Sequence, residues 1–112
     1  MDGRIYYIEE TISQNFGSPW TVRKLAVLIG LSAPHFQKLF REKTGIAPMA
    51  YLQRERLDRA GKLLETTLLS VKQIRIEVGI VDASHFTRDF KRKFGCTPTE
   101  FRRQNWRIPR SS

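Results

Sequence analysis

Little in this sequence could build a covalent or metal-held framework. Cys96 is the single cysteine among 112 residues, so neither an intrachain disulfide nor a cysteine-based zinc cage can form. This suits a reducing compartment and leaves Cys96 as a small loop residue. No apolar run approaches the roughly 20 residues needed to cross a bilayer, and the start, Met1-Asp2-Gly3-Arg4, lacks a basic region followed by an apolar signal stretch. The expectation is a soluble, cytoplasmic protein with no membrane partner. No segment alternates apolar and polar residues as a half-buried strand does. Glycine-rich phosphate loops, a nucleophile elbow and paired-acid motifs are also missing, so no catalytic residue, cofactor or metal site is expected, and no enzyme. The two histidines, His35 and His85, lie too far apart and too far from clustered carboxylates to suggest metal ligands or catalytic bases, and read as helix-surface residues. The length allows one domain, with room for two lobes.

Acidic residues are scarce relative to basic ones: 11 Asp and Glu against 20 Lys and Arg, a net charge of +9. The imbalance is uneven. Residues 1–19 carry Asp2, Glu9 and Glu10 against Arg4 alone. Residues 83–112 carry Arg88, Lys91, Arg92, Lys93, Arg102, Arg103, Arg107 and Arg110 against Asp89 and Glu100. Such an end favours a polyanionic partner, although charge alone also suits an anionic membrane surface or simple solubility.

What the chain does have is an internal echo. His35-Phe36-Gln37-Lys38-Leu39-Phe40-Arg41-Glu42-Lys43-Thr44-Gly45 recurs fifty residues later as His85-Phe86-Thr87-Arg88-Asp89-Phe90-Lys91-Arg92-Lys93-Phe94-Gly95. The histidine, both aromatics, the lysine and the glycine repeat. So do Pro48 and Pro98, then Tyr51 and Phe101, and, with a one-residue slip, Leu25 and Gly30 against Ile74 and Gly79. Apolar spacing makes the unit helical: Val22, Leu25, Ala26 and Ile29 share a face, as do Phe36, Leu39 and Phe40, and Phe86, Phe90 and Phe94. Ser70 with Gln73 and Thr97 with Glu100 read as capping boxes, Ser32 and Asp82 as N-caps, and Gly45 and Gly95 as helix ends. Seven helices are predicted, at residues 2–16, 22–29, 33–44, 48–64, 71–78, 83–94 and 98–105, with a frayed tail at 107–112.

Within Ala26–Phe40 a short helix meets Gly30, turns through Leu31 and Ser32, and enters a second helix anchored by Phe36. A small residue for close approach, a glycine for positive φ and an apolar closure are the parts of a helix-turn-helix. In the second copy Gly79 and Phe86 match, Arg75 stands in place of the small residue, and the turn is one residue longer. A helical bundle with no nucleic-acid role would use the same packing residues. The helix at 48–64 would be about 25 Å long, which, with the flanking helices added, suits two recognition helices about 34 Å apart in successive major grooves.

Leu25-Ala26, Ser32, Phe36, Phe40, Gly45, Pro48, Tyr51-Leu52, Arg56-Leu57, Ala60, Leu63-Leu64, Ile74, Gly79, Asp82, Ser84, Phe86, Phe90, Gly95-Cys96-Thr97-Pro98 and Phe101-Arg102 together resemble the C-terminal DNA-binding domain of the AraC/XylS family of bacterial transcription regulators. The likeness covers roughly residues 5–104. It implies an all-α, homeodomain-like fold spanning residues 1–112, with a first lobe at 5–47, a linker helix at 48–64 and a second lobe at 65–106. It also implies a double-stranded DNA partner, a nucleoid-associated site of action in a bacterial cytoplasm, and activation through contact with RNA polymerase. An effector-binding or dimerisation domain on the same full-length protein would be a further partner. Two residues depart from the family pattern: Arg75 replaces an alanine and Ile80 a phenylalanine. Arg75 is expected to reach water or a phosphate at a packing cost, loosening the second lobe.

The base-reading positions implied for the first recognition helix are Pro34, Gln37 and Lys38. Gln37 can bridge adenine N6 and N7, Lys38 can approach guanine O6 and N7, and Pro34 offers either apolar contact to a thymine methyl or only a helix start. The corresponding face of the second helix offers Ala83, Ser84, Thr87 and Arg88, with Arg88 able to fork onto a guanine. Arg41, Lys43, Lys91, Arg92 and Lys93 are the expected phosphate contacts, supplying affinity and salt dependence. Trp20, Trp106 and the phenylalanines read as packing. A non-specific nucleoid-binding protein and a helical adaptor for an acidic protein remain as alternatives.

Overall fold

The computed structural model describes residues 2–107; the tail predicted at 107–112 lies, except for Arg107, outside the described residues. Seven α-helices follow one another: α1 Gly3–Gln14, α2 Val22–Leu28, α3 Ala33–Thr44, α4 Pro48–Thr66, α5 Val71–Glu77, α6 Ala83–Phe94 and α7 Pro98–Asn105. There is no strand among the described residues, and no helix among them is long and apolar enough to cross a membrane. The chain divides into two compact units, residues 1–55 and 56–112, and the division falls within α4.

The helix starts follow from the capping chemistry. Thr21, Ser32 and Asp82 each accept a backbone N–H of the first turn, and Ser70 with Gln73 and Thr97 with Glu100 form complete capping boxes. Both α3 and α6 stop at a glycine in the left-handed region, Gly45 at φ 86° and Gly95 at φ 80°. α1 is shorter than predicted at both ends. Asp2 caps it instead of joining it, and Asn15 leaves helical geometry at φ −134° while its N–H is still held by Thr11 and Ile12. α4 runs two residues beyond the predicted Leu64.

In the first unit Ile5, Ile8, Ile12, Leu25, Ala26, Phe36, Phe40 and Leu52 form one buried cluster, with Trp20, Leu39 and Tyr51 packed on it. α3 packs against α1 and α2. In the second unit Leu57, Ala60, Leu64, Ile74, Val78, Ile80, Phe86 and Phe90 are buried, and α6 packs against α5 and α7. The fifty-residue echo extends to ring geometry. Phe36 and Phe40 sit 5.7 Å apart and Phe86 and Phe90 5.8 Å. Phe40 meets Tyr51 edge-on at 5.5 Å just as Phe90 meets Phe101 at 5.3 Å. The second unit adds Phe94 against Phe101 at 5.0 Å. That pair closes over Gly61 of α4, where a Cβ would lie 3.3 Å from Phe94 and 3.6 Å from Phe101.

Arg102 acts as a second-unit clamp. Its Nε donates to Leu64 O at 3.1 Å and its Nη2 to Thr67 O and Leu69 O at 3.2 and 2.6 Å. The last carbonyls of a helix have no intrahelical partner, and α7 supplies one here. The guanidinium therefore explains the longer α4 and the ordered connection that carries the chain to Ser70.

Candidate nucleic-acid interface

Helices α3 and α6 are both twelve residues long, start fifty residues apart and bury the same positions. Phe36 and Phe40 on one, and Phe86 and Phe90 on the other, are buried, while Leu39 and Asp89 are half-buried at the flank. All side chains opposite that stripe face solvent. On α3 these include Pro34, His35, Gln37, Lys38 and Arg41; on α6 they include Ser84, His85, Thr87, Arg88, Lys91 and Arg92. Ala83 is exposed at the first position of α6. Each base-reading residue predicted from the sequence is thus outward-facing, grouped on one side of its own helix.

Each of the two helices is preceded by a turn with the same backbone. Gly30 has φ 69° and Gly79 φ 85°, in the region that side-chain-bearing residues rarely adopt. Leu31 N–H donates to Ala26 O at 3.1 Å, and Ile80 N–H to Arg75 O at 3.0 Å. Each unit therefore contains a short helix, a glycine turn and a longer exposed helix, in that order.

Arg88 stands directly opposite the buried stripe and is 58% exposed; its Nε lies 3.4 Å from the Asp89 carboxylate. An exposed pair of this kind adds little stability. Arg41 and Lys43, and Lys91, Arg92 and Lys93, occupy the last turns of α3 and α6, where positive charge also complements the helix dipole.

The basic residues do not all serve one surface. Lys93 is turned to the packed side of α6: its Nζ lies 3.3 Å from Asp58 of α4 and over the Phe94 ring. Its counterpart Lys43 lines a hollow with Asp2, the N-cap of α1, and with Ile5, Tyr6 and Glu9 of that helix. The expected phosphate contacts therefore split. Arg41, Lys91 and Arg92 lie on the exposed side, Lys93 is paired with Asp58, and Lys43, itself exposed, borders the hollow that Asp2 and Glu9 also line. Arg102 and Arg107 are also held internally, Arg102 by carbonyls and Arg107 by Glu65 at 3.1 Å.

Arg75 departs from expectation. The residue is part-exposed, but its guanidinium is turned back onto its own chain. Its Nη1 donates to Ile80 O at 2.9 Å and to Val81 O, inside the turn of its own unit. The packing cost anticipated from a bulky residue at this position is set against two charge-assisted hydrogen bonds to carbonyls of the turn. Nothing in the sequence marks this role, because the acceptors are backbone atoms. The hint is the coincidence of an arginine with a turn one residue longer.

Asp82 and Glu100 carry carboxyls held below their ordinary range. For Asp82 the main cause is the His85 backbone N–H, with the charges of His85 and Arg75 adding to it; for Glu100 it is the backbone N–H of Thr97, with that residue's hydroxyl next. Both are capping groups, so the shifts report helix starts, and neither points to acid–base chemistry.

Residues 25–104 match the family described as helix-turn-helix domain. A protein of Rhodopseudomonas palustris, described as a probable AraC family transcriptional regulator, has a solved structure that superposes with a TM-score of 0.85 at 31% identity, covering 95% of this chain and 100% of that one. This chain belongs to the AraC-type helix-turn-helix family. The RCS-specific transcriptional activator RclR of Escherichia coli K12 is 40% identical over 86 residues, covering 77% of this chain and 30% of that protein. The DNA-binding domain of AdpA, a global transcriptional factor solved in complex with a target DNA, superposes with a TM-score of 0.85 at 26% identity over 89% of this chain and 90% of that chain. The AraC-type chain spans about a third of the length of the curated relatives it matches, 35% of VirF of Yersinia enterocolitica and 30% of RclR. In this AraC-type domain α2–α3 and α5–α6 are the two helix pairs joined by a glycine turn.

Proposed function

We propose that this chain is the sequence-reading part of a bacterial transcription regulator, binding one asymmetric stretch of double-stranded DNA with α3 and α6 in successive major grooves. The observation that carries the reading is the repeated register. Two helices of equal length bury phenylalanines at equivalent positions and turn largely polar side chains outward at equivalent positions. A packing role alone needs the buried stripe and places no demand on the opposite face. Pro34, Gln37 and Lys38, and Ala83, Ser84, Thr87 and Arg88, face base edges in this proposal, while Arg41, Lys91 and Arg92 meet phosphates. Lys93, paired with Asp58, supports the α6 surface from the side, and Lys43 at the matching place on α3 has the same part in this proposal. Because the outward faces of α3 and α6 differ in sequence, the two half-sites differ, and the whole site is asymmetric.

Activation through RNA polymerase, and control by an effector-binding or dimerisation domain elsewhere on the same polypeptide, complete the proposal. Activation is supported by the names of relatives such as RclR and VirF, both called transcriptional activators, and a further domain by the chain's matching only about a third of their length. Selection of binding sites from random duplex at stated salt tests the reading. A DNA reader enriches one motif, with specific binding about 10³-fold or more above non-specific binding. A non-specific nucleoid binder gives a salt slope and no motif, and an adaptor for an acidic protein enriches nothing. Transcription from the selected site with purified RNA polymerase then tests activation.

A further inference from the structure

The two helix-turn-helix pairs differ in two ways that belong together. α2 reaches α3 through Ile29-Gly30-Leu31-Ser32, whereas α5 reaches α6 through Val78-Gly79-Ile80-Val81-Asp82. The turns match as far as the bond from Leu31 N–H to Ala26 O and from Ile80 N–H to Arg75 O. The second then inserts Val81, 91% exposed, before its N-cap. At the position where the first unit has the buried Ala26, the second has Arg75, and the Arg75 guanidinium binds the carbonyls of Ile80 and of the inserted Val81.

An inserted residue adds two soft dihedrals directly ahead of a recognition helix. Left alone, it would let α6 leave the turn in several directions. One guanidinium nitrogen, Nη1, donating to two successive carbonyls removes that freedom, because both peptide planes must point at the same group. The N-cap follows at once: Asp82 accepts His85 N–H at 2.8 Å through its carboxylate and Phe86 N–H at 3.0 Å through its carbonyl.

We infer that Arg75 is a positioning residue for the second recognition helix: it locks the lengthened turn and so fixes the direction in which α6 presents Ser84, Thr87 and Arg88. Arg75 touches neither base nor phosphate in this role. The inference rests on the reading of α6 as a DNA probe, and its test has an arm that does not involve DNA.

Four variants are compared with the wild type: Arg75→Ala, Arg75→Lys, deletion of Val81, and Arg75→Ala combined with that deletion, which rebuilds the shorter turn of the first unit. Amide hydrogen exchange at His85 and Phe86 is measured without DNA. Affinity is measured on the duplex that the wild type selects and on duplexes altered at single base pairs. Arg75→Ala is expected to speed exchange at both amides about tenfold. It should also erode discrimination at the base pairs read by α6, leaving those read by Gln37 and Lys38 and the salt slope unchanged. Arg75→Lys, with a single-point donor on a flexible stem, should recover part of both effects. The double variant should recover most of the exchange protection lost in Arg75→Ala. Unchanged exchange in Arg75→Ala overturns the inference, as does a salt slope reduced by about one phosphate contact. A double variant no better protected than the two single variants also overturns it, and does so even if Arg75→Ala fails to fold. If the wild type selects no duplex, the DNA reading fails, and the exchange measurements alone decide whether Arg75 positions α6.

Discussion

Lys38 and Arg88 occupy the same place on two helices fifty residues apart, directly opposite the buried phenylalanines, and the proposed function gives them related tasks. An ammonium is a point donor, whereas a guanidinium presents a fork that matches guanine O6 and N7 together. Replacing Arg88 by alanine should therefore cost about 1–3 kcal/mol of binding at one or two base pairs and relax selectivity there, as measured by competition among singly altered duplexes. Lys91→Ala or Arg92→Ala should weaken all duplexes alike and lower the salt slope by about one each. Lys93→Ala, whose ammonium is engaged by Asp58, should leave that slope unchanged, which titration at several salt concentrations would show. The outward set was legible from the sequence because a period of 3.6 separates buried from exposed positions without knowledge of the fold. The destinations of Arg75, Arg102 and Lys93 were not. Their partners are a pair of turn carbonyls, the end of another helix and a carboxylate thirty-five residues away, none of which exists until the chain has folded.

Caps govern the elements. Ser70, Asp82 and Thr97 open α5, α6 and α7 by accepting N–H groups that have no intrahelical partner, so their positions could be read from residue types alone. The ends of α1 and α4 could not, since they depend on Asn15 leaving the helix and on Arg102 holding the carbonyls of Leu64, Thr67 and Leu69. Ser70→Ala should destabilise the second unit by about 1 kcal/mol, seen as a lower denaturant midpoint. Gly61 is a different case: the rings of Phe94 and Phe101 lie where its side chain would be. Gly61→Leu should cost about 1–3 kcal/mol through overpacking, read from the same unfolding curve. Asp82 supplies a pH dependence of known sign. Its carboxyl is held below the ordinary range in the folded state, chiefly by the His85 N–H. Folding is therefore favoured by this group above the unfolded carboxylate range, and that contribution is lost as pH falls through the lower, folded value. Asp82→Asn, which can still cap but cannot titrate there, should flatten the acid limb of stability against pH relative to wild type.

Charge divides the whole molecule unequally. Residues 56–112 hold thirteen lysines and arginines against six acids, and residues 1–55 hold seven against five, leaving +7 and +2. On that basis the second unit should supply most of the salt-dependent affinity, even with Arg102, Lys93 and Arg107 engaged internally. The sequence echo made two units expected, because a motif repeated with its turn glycine and its buried aromatics is two copies of one folding solution. The dividing line within α4 was less visible, since Leu52 serves the first core while Leu57, Ala60 and Leu64 are buried in the second unit. The proposal that both units read the same duplex is tested most directly by hydroxyl-radical footprinting on the selected site, with and without about five extra base pairs at its centre. Two protected stretches on one face, about one helical turn apart, and an affinity loss of about a hundredfold on insertion are the predicted result. A single protected stretch, or an affinity indifferent to the insertion, would contradict it.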